Sequence, residues 1–269
     1  MEKTKLFLHC DLEGTLWSSG RPCSDTLNFL GWLQTQPAVW NILTNTVSRT
    51  PELLARDFQK AGLSLDPRRF VTPFATLDEF LIAKFPGTFR SRANFFFVGS
   101  RPQAKRLPRR PFPAPVPDWV IFADWEHPGP RLRTLNKVLD FLLKGSRLAA
   151  LSPSSYFERG GRPFLDTGSF VRLFEPFLQS EPVFLGKPFV PFLDASRRRF
   201  EALASCEVVL GDDVNTDIRM AKAAGIDSIL IRRGKYRSGD EERENPTWCA
   251  ANLGEVREIL KKNYGLRSE

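Results

Sequence analysis

Short apolar runs ending in polar or glycine-containing turns recur along the chain: "LFLHC" (6–10), "VWNILTN" (39–45), "PVFLGK" (182–187), "CEVVLGDD" (206–213) and "IDSILIRRG" (226–234). The intervening segments carry apolar positions at helical spacing, which predicts helices at about 24–35, 50–61, 130–143, 190–204, 216–224 and 254–263. Several of these are preceded by Ser, Thr or Asp, or have a proline in the first turn. Near-continuous apolar strands alternating with helices predict an α/β fold with a Rossmann-like parallel-sheet core covered by helices on both faces. In such a sheet the ligand sits at the carboxyl ends of the strands, where the connecting loops gather.

The middle of the chain has a different texture. "FFFVG" (95–99) is followed by the proline-dense "LPRRPFPAPVP" (107–117) and then by "WVIFADWEHPGP" (119–130). Prolines at that density forbid regular structure, so 107–117 is expected to be an extended connector inside a second module. The expected organisation is a core formed by 1–75 and 180–269, with an α/β subdomain inserted at 76–179. No internal repeat or low-complexity tract is visible.

Four loops that follow proposed core strands carry chemistry: Asp11 and Glu13 in "DLEGT"; Thr44 and Asn45; Lys187 in "GKP"; and Asp212, Asp213 and Asp217 in "GDDVNTD". Each has a cheap structural explanation alone: a turn, an N-cap, a surface lysine, a loop-to-helix cap. Gathered at one sheet edge they can do more. Carboxylates from the first and last loops can bind a hard cation such as Mg²⁺ through oxygen, while a hydroxyl, an amide and an ammonium surround a phosphate. Phosphoryl transfer needs that combination of nucleophile, charge-neutralising metal and donors aimed at the equatorial oxygens.

The order and spacing of these motifs resemble the haloacid dehalogenase (HAD) superfamily of aspartyl-phosphate phosphatases. "ILTNTVSRTPELLARDFQKAGL" and "GKP…VVLGDDVNTDIRMAKAAGIDSILIRRGKY" resemble in particular its para-nitrophenyl phosphatase and phosphoglycolate phosphatase branch, whose members carry a large α/β cap between the second and third motifs. The resemblance covers about 1–75 and 180–250 and is weak across the cap. It implies that Asp11 is the nucleophile, that Thr44, Lys187 and the adjacent Asn45 hold the phosphate, and that Lys187 also balances the carboxylates. It implies Mg²⁺ bound by Asp11, Asp212 and the backbone carbonyl of Glu13, with Asp213 and Asp217 completing or orienting the metal shell. Gly14 and Thr15 match the turn by which the chain leaves the site. The branch further implies a cap that excludes bulk water over a small phosphorylated metabolite, and a homodimer formed through that cap.

Glu13 departs from the superfamily, most of whose phosphatases have aspartate there to protonate the leaving group and then activate water. One added methylene moves the carboxylate by roughly the 1.5 Å of a C–C bond, and misplacement of that order costs about a hundredfold in rate. Glutamate nevertheless has the same proton chemistry, with a reference pKa about 0.4 unit higher. A D-x-E-G-T motif also resembles that of the active acireductone enolase-phosphatase group, so Glu13 is expected to work as the general acid and base. Thr46 stands where the branch usually has a second asparagine. In the cap "LSPSS" (151–155) replaces an N-x-D segment, and "DTGSF" (166–170) offers backbone and hydroxyl donors instead.

Charge and composition narrow the partners. With 39 Lys and Arg against 31 Asp and Glu, the net charge of +8 favours an anionic ligand. The excess lies in short clusters, "RSR" (90–92), "KRLPRR" (105–110), "RRR" (197–199) and "RR" (232–233), each read first as solvated surface. A nucleic-acid surface beside the abundant phenylalanines is disfavoured because those rings sit mainly in core-like runs. Only His9 and His127 are available, which argues against a Ser-His-Asp hydrolase or a polyhistidine metal site. The four cysteines form no C-x-x-C pair and read as buried reduced thiols. No run approaches the roughly 18 apolar residues of a membrane helix, and the first run is too short for a signal-peptide core, so a cytoplasmic location is expected. Two functional readings stand: a Mg²⁺-dependent phosphatase of small phosphate monoesters, or a catalytically weak relative retained as a phosphate-ligand binding or regulatory protein.

Overall fold

The computed structural model describes residues 4–88, 91–112, 114–123, 131–159, 162–201 and 204–267. His127 and the start of the helix expected from 130 lie outside the described residues. Ten strands build two sheets: β1 (Thr4–Cys10), β2 (Val39–Leu43), β3 (Phe70–Val71), β4 (Phe95–Val98), β5 (Trp119–Phe122), β6 (Arg147–Ala150), β7 (Val183–Phe184), β8 (Ala204–Gly211), β9 (Asp227–Ile231) and β10 (Trp248–Ala250). The chain divides into two compact units. The first comprises 1–44, 50–71 and 187–269; the second comprises 45–49 and 72–186. The sequence boundaries at 75/76 and 179/180 therefore differ by a few residues from the divisions of the structure, which also assign 45–49 to the second unit.

The first unit is a six-stranded sheet in the order β10-β9-β8-β1-β2-β3, every pair parallel. Residues Leu6 to Cys10 are fully buried on both sides of β1, as a central parallel strand requires. Connections β1→β2→β3 run one way from β1 and β8→β9→β10 run the other, so the chain reverses its direction of travel between β1 and β8. A ligand crevice forms at such a switch point. The register sets Cys10 beside Leu210 and Ile42, and the Asp11 amide donates to the Leu210 carbonyl at 2.8 Å. Asp11 therefore emerges next to the Gly211–Asp212 turn.

The flanking helices show the anticipated end chemistry. Pro51–Lys60 starts with Thr50 accepting from the Leu53 amide at 3.3 Å, has Pro51 and Glu52 in its first turn, and buries Leu54, Ala55 and Phe58. Leu253–Tyr264 is capped by Asn252, which accepts from the Glu255 amide at 3.0 Å, and buries Leu253, Val256, Leu260 and Tyr264. Val190–Phe200 stops four residues before the expected 204, because Glu201 takes a left-handed conformation and β8 begins at Ala204. The expected 216–224 helix is split: one wide π turn, Val214–Ile218, precedes Arg219–Ala224.

The second unit is a four-stranded parallel sheet, β7-β6-β5-β4. Trp119 and Ile121 pack with Phe74, Leu77 and Leu81 on one face, while Val120 and Phe122 pack with Val138, Phe141, Leu142, Val171 and Phe174 on the other. That alternation is the two-residue period of a strand. "PVFLGK" corrects the sequence reading: Val183 and Phe184 pair with Ala149 and Ala150 in this sheet, not in the core sheet. An apolar doublet before a glycine carries no information about which sheet it joins. Within the proline-rich segment, Arg110–Pro111 pairs with Arg92–Ala93, and buried Arg109 donates to the carbonyls of Phe85 (2.8 Å), Gly87 (2.8 Å) and Pro108 (3.1 Å). One arginine of "KRLPRR" is thus structural. No described helix is long and apolar enough to cross a membrane.

A buried polar chain lies one turn beneath the strand ends of the first unit. His9 Nδ1 is 3.2 Å from Asn41 Oδ1, Asn41 Nδ2 donates to Ser196 Oγ, and His9 Nε2 lies 3.6 Å from Glu207, which accepts from Arg197 at 2.8 Å. Burial pushes the imidazole pKa below the usual histidine range, against the opposing pull of Glu207. The chain joins β1, β2, β8 and the Val190–Phe200 helix. Asn41→Leu would strand both the imidazole and the Ser196 hydroxyl, so denaturant unfolding is expected to show a loss of roughly 2–4 kcal/mol; a loss under 1 kcal/mol would mean the chain contributes nothing.

Candidate active site

The β1 and β8 ends bring three carboxylates together. Asp11, Asp212 and Asp217, all buried, each offer an oxygen within 4.8 Å of the others. Lys187, itself buried, enters the group as a bridge: its ammonium donates to Asp11 Oδ1 and to Asp217 Oδ1, the latter at 2.7 Å. Desolvation opposes the charge on Lys187, yet the fields of Asp11 and Asp217 outweigh it and leave its pKa above the ordinary lysine value. Asp11 Oδ2, by contrast, is buried without a hydrogen-bond partner.

Each carboxylate is placed by backbone shape. Asp212 accepts from Thr15 Oγ at 3.1 Å and from the Lys235 amide at 2.6 Å. Gly14 and Gly234 close around it with φ of +89° and +61°, and a Cβ on either would come within 2.1 Å of its Oδ2. Only glycine combines that conformation with that space. Asp217 sits in the π turn, and its carboxylate lies so close to Gly211 that a Cβ there would be 2.2 Å from Cγ. Its Oδ2 accepts from the Asp213 amide at 3.2 Å.

The remaining sequence candidates divide. Thr44 is buried at the end of β2, its amide donating to the Val71 carbonyl at 3.1 Å. Glu13 has an exposed side chain and forms a backbone bridge with Trp17. Asp213 stands outside the triad: it caps the Asn215 amide at 2.9 Å and meets the Lys235 ammonium at 3.2 Å. Lys235 holds its pKa below the usual carboxylate range despite partial burial. Asn45 belongs to the second unit, where its Oδ1 lies against Gly186.

Two family models match: one for haloacid dehalogenase-like hydrolases over residues 8–108, and one described as HAD-hydrolase-like over 184–256. Human haloacid dehalogenase-like hydrolase domain-containing protein 2 is 26% identical over 251 residues, covering 88% of this chain and 87% of its own. The ribonucleotide monophosphatase NagD of Escherichia coli K12 is 24% identical over 257 residues, covering 92% and 96%. The chain belongs to the haloacid dehalogenase-like hydrolases. Among solved structures, a 4-nitrophenylphosphatase from Thermotoga maritima superposes with a TM-score of 0.80 at 24% identity, covering 94% of this chain and 96% of its own.

A hydrolase of this family would use the triad for a divalent cation, and the residues present fit one. All donors are hard oxygens, one of them is buried without a partner, and among the described residues four carboxylates (Asp11, Asp212, Asp213, Asp217) meet two ammoniums, Lys187 and Lys235. Lys235 and Gly234 are the members the sequence reading passed over. The signal was the "GK" at the end of "ILIRRGKY", a loop after a parallel strand on the same sheet edge.

The crowding has a titration signature. Desolvation, reinforced by Asp11 and Asp213 against the pull of Lys187, raises the Asp217 pKa from 3.8 to about 7. Between pH 4 and 7 the native state then keeps a proton that the unfolded chain has released, so this group's contribution to stability falls as pH rises. In metal-stripped protein, Asp217→Asn is expected to gain stability relative to wild type as pH climbs through that window, whatever constant offset comes from its lost Lys187 contact. A relative stability that stays flat or falls, measured by denaturant unfolding, would contradict the assignment.

Proposed function

We propose that the protein is a Mg²⁺-dependent phosphatase that hydrolyses small phosphate monoesters through an aspartyl phosphate on Asp11. The observation that carries this reading is the buried Asp11–Asp212–Asp217 triad, bridged by Lys187, with one Asp11 oxygen left without a partner. Phosphate hydrolysis is the chemistry named for the NagD relative, and a glycerol phosphate phosphatase from Mycobacterium tuberculosis, solved with magnesium, shares the fold at a TM-score of 0.78 and 21% identity over 92% of this chain and 76% of its own. Among the described residues, the carboxylates that would hold Mg²⁺ are Asp11, Asp212 and Asp217, with the Glu13 carbonyl and Asp213 as the further candidates. When bound, the cation supplies neutralisation of charge on the phosphate and on the crowded carboxylates.

The protein's own groups would then act in two steps. A carboxylate oxygen of Asp11 attacks phosphorus as the ester P–O bond breaks, and Glu13 gives its proton to the departing oxygen. Water next attacks the phosphorus of the acyl phosphate, Glu13 takes the proton, and the P–O bond to Asp11 breaks to release inorganic phosphate and restore the carboxylate. The Lys187 ammonium and the Thr44 hydroxyl hold the phosphoryl oxygens in line, with the Asn45 amide, next in the chain, as a further donor. The exposure of Glu13 suits a group that must exchange protons with both an alcohol and water.

Phosphate release from a panel of phosphorylated metabolites is expected to require Mg²⁺, to vanish in Asp11→Asn, and to fall about a hundredfold or more in Glu13→Gln. Unchanged turnover in Glu13→Gln would remove its role. Absence of release from wild type, with release appearing in Glu13→Asp, would favour a binding protein instead.

A further inference from the structure

The loop after β9 brings a second cation to the carboxylates, and it is built to stay there. Arg233 anchors it, donating to Asp25 at 2.9 and 3.1 Å and to the Thr15 carbonyl. Gly234 packs its Cα against Asp212, and the next amide, that of Lys235, donates to Asp212 Oδ2. The Lys235 side chain then turns back to Asp213, which it meets at 3.2 Å while remaining 46% exposed. Its ammonium thus shares the negative potential of Asp212 and Asp213 without sealing the triad, whereas Lys187 is 3% exposed and bonded to two of the triad's members.

We propose that Lys235 sets the affinity of the site for its divalent cation: its charge opposes the incoming ion and keeps occupancy responsive to the free Mg²⁺ concentration. The proposal rests on the metal-dependent reading above and concerns a residue with no part in the chemical steps. A unit charge several ångströms from a divalent ion, even at the dielectric of water, shifts binding by roughly tenfold. A half-exposed ammonium is also open to screening, with a Debye length of about 3 Å at 1 M salt.

The test is direct Mg²⁺ titration by calorimetry of the metal-stripped full-length protein, comparing wild type, Lys235→Met and Lys235→Arg, with circular dichroism to confirm folding. Lys235→Met is expected to bind about tenfold more tightly than wild type at low ionic strength, with the gap closing toward twofold near 1 M KCl. Lys235→Arg, which keeps the charge, is expected to stay within about threefold of wild type and remains informative if the methionine variant does not fold. Equal or weaker binding by Lys235→Met, a gap indifferent to salt, or an arginine variant as tight as the methionine one would overturn the proposal and leave the metal site standing. A folded wild type that binds no Mg²⁺ would instead overturn the metal reading and this proposal with it.

Discussion

Holding three carboxylates within 4.8 Å of one another in a buried site costs several kcal/mol in desolvation and repulsion unless positive charge accompanies them. Lys187 supplies the part of that charge that folding itself requires. Its two short contacts make Asp11 and Asp217 tolerable neighbours, while burial first, and the neighbouring carboxylates second, still push the pKa values of Asp212 and Asp217 above the ordinary carboxylate value. The unbalanced remainder is the electrostatic reason the proposed divalent cation would bind here. Chemistry and charge compensation therefore share the same atoms.

The backbone makes the concentration of charge geometrically available. Because chain direction reverses between β1 and β8, the loops after these neighbouring strands open a crevice instead of a continuous surface. The glycines at 14 and 234 let main chain approach Asp212 from two sides, and the π turn carries Asp217 over Gly211. Beneath them the His9–Asn41–Ser196 chain, extended from His9 to Glu207, ties together β1, β2 and β8, which lead into Asp11, Thr44 and Asp212, and the Val190–Phe200 helix, which Lys187 precedes. A polar chain in a core satisfies its own donors only in one register, so it fixes relative strand positions more sharply than apolar packing does.

What could be read from the sequence follows from the range of the interactions involved. Apolar runs and caps are local, and they located β1, β2, β8, β9 and most of the helices. Phe70–Val71 and Trp248–Ala250 are too short to show a period, and the sheet edges they form were not visible. The membership of Val183–Phe184 was misread because sheet pairing is a long-range choice, decided here by Ala149 and Ala150. Asp11, Lys187, Asp212 and Asp217 could be gathered in advance because each follows an apolar run or a glycine-containing turn with chemistry that is odd for a surface loop. Lys235 could not, since a lysine after a glycine in a basic run looks like solvated surface until the Asp212 and Asp213 contacts are seen.

The two lysines illustrate why equal charges do unequal work. Coulomb energy scales inversely with the local dielectric, so an ammonium with 3% exposure acts several times more strongly than one with 46% exposure at similar distance. Lys187 is in the first regime: without it two buried carboxylates lose their counter-charge, and the damage falls on folding as much as on reaction. Lys235 is in the second: water and salt share in its field, and its removal takes the counter-charge from Asp213, which still accepts from the Asn215 amide, and leaves the triad's own bridge in place. Under the proposed function, a site assembled permanently yet loaded reversibly would use one cation of each kind, and the burial of each ammonium decides which it is.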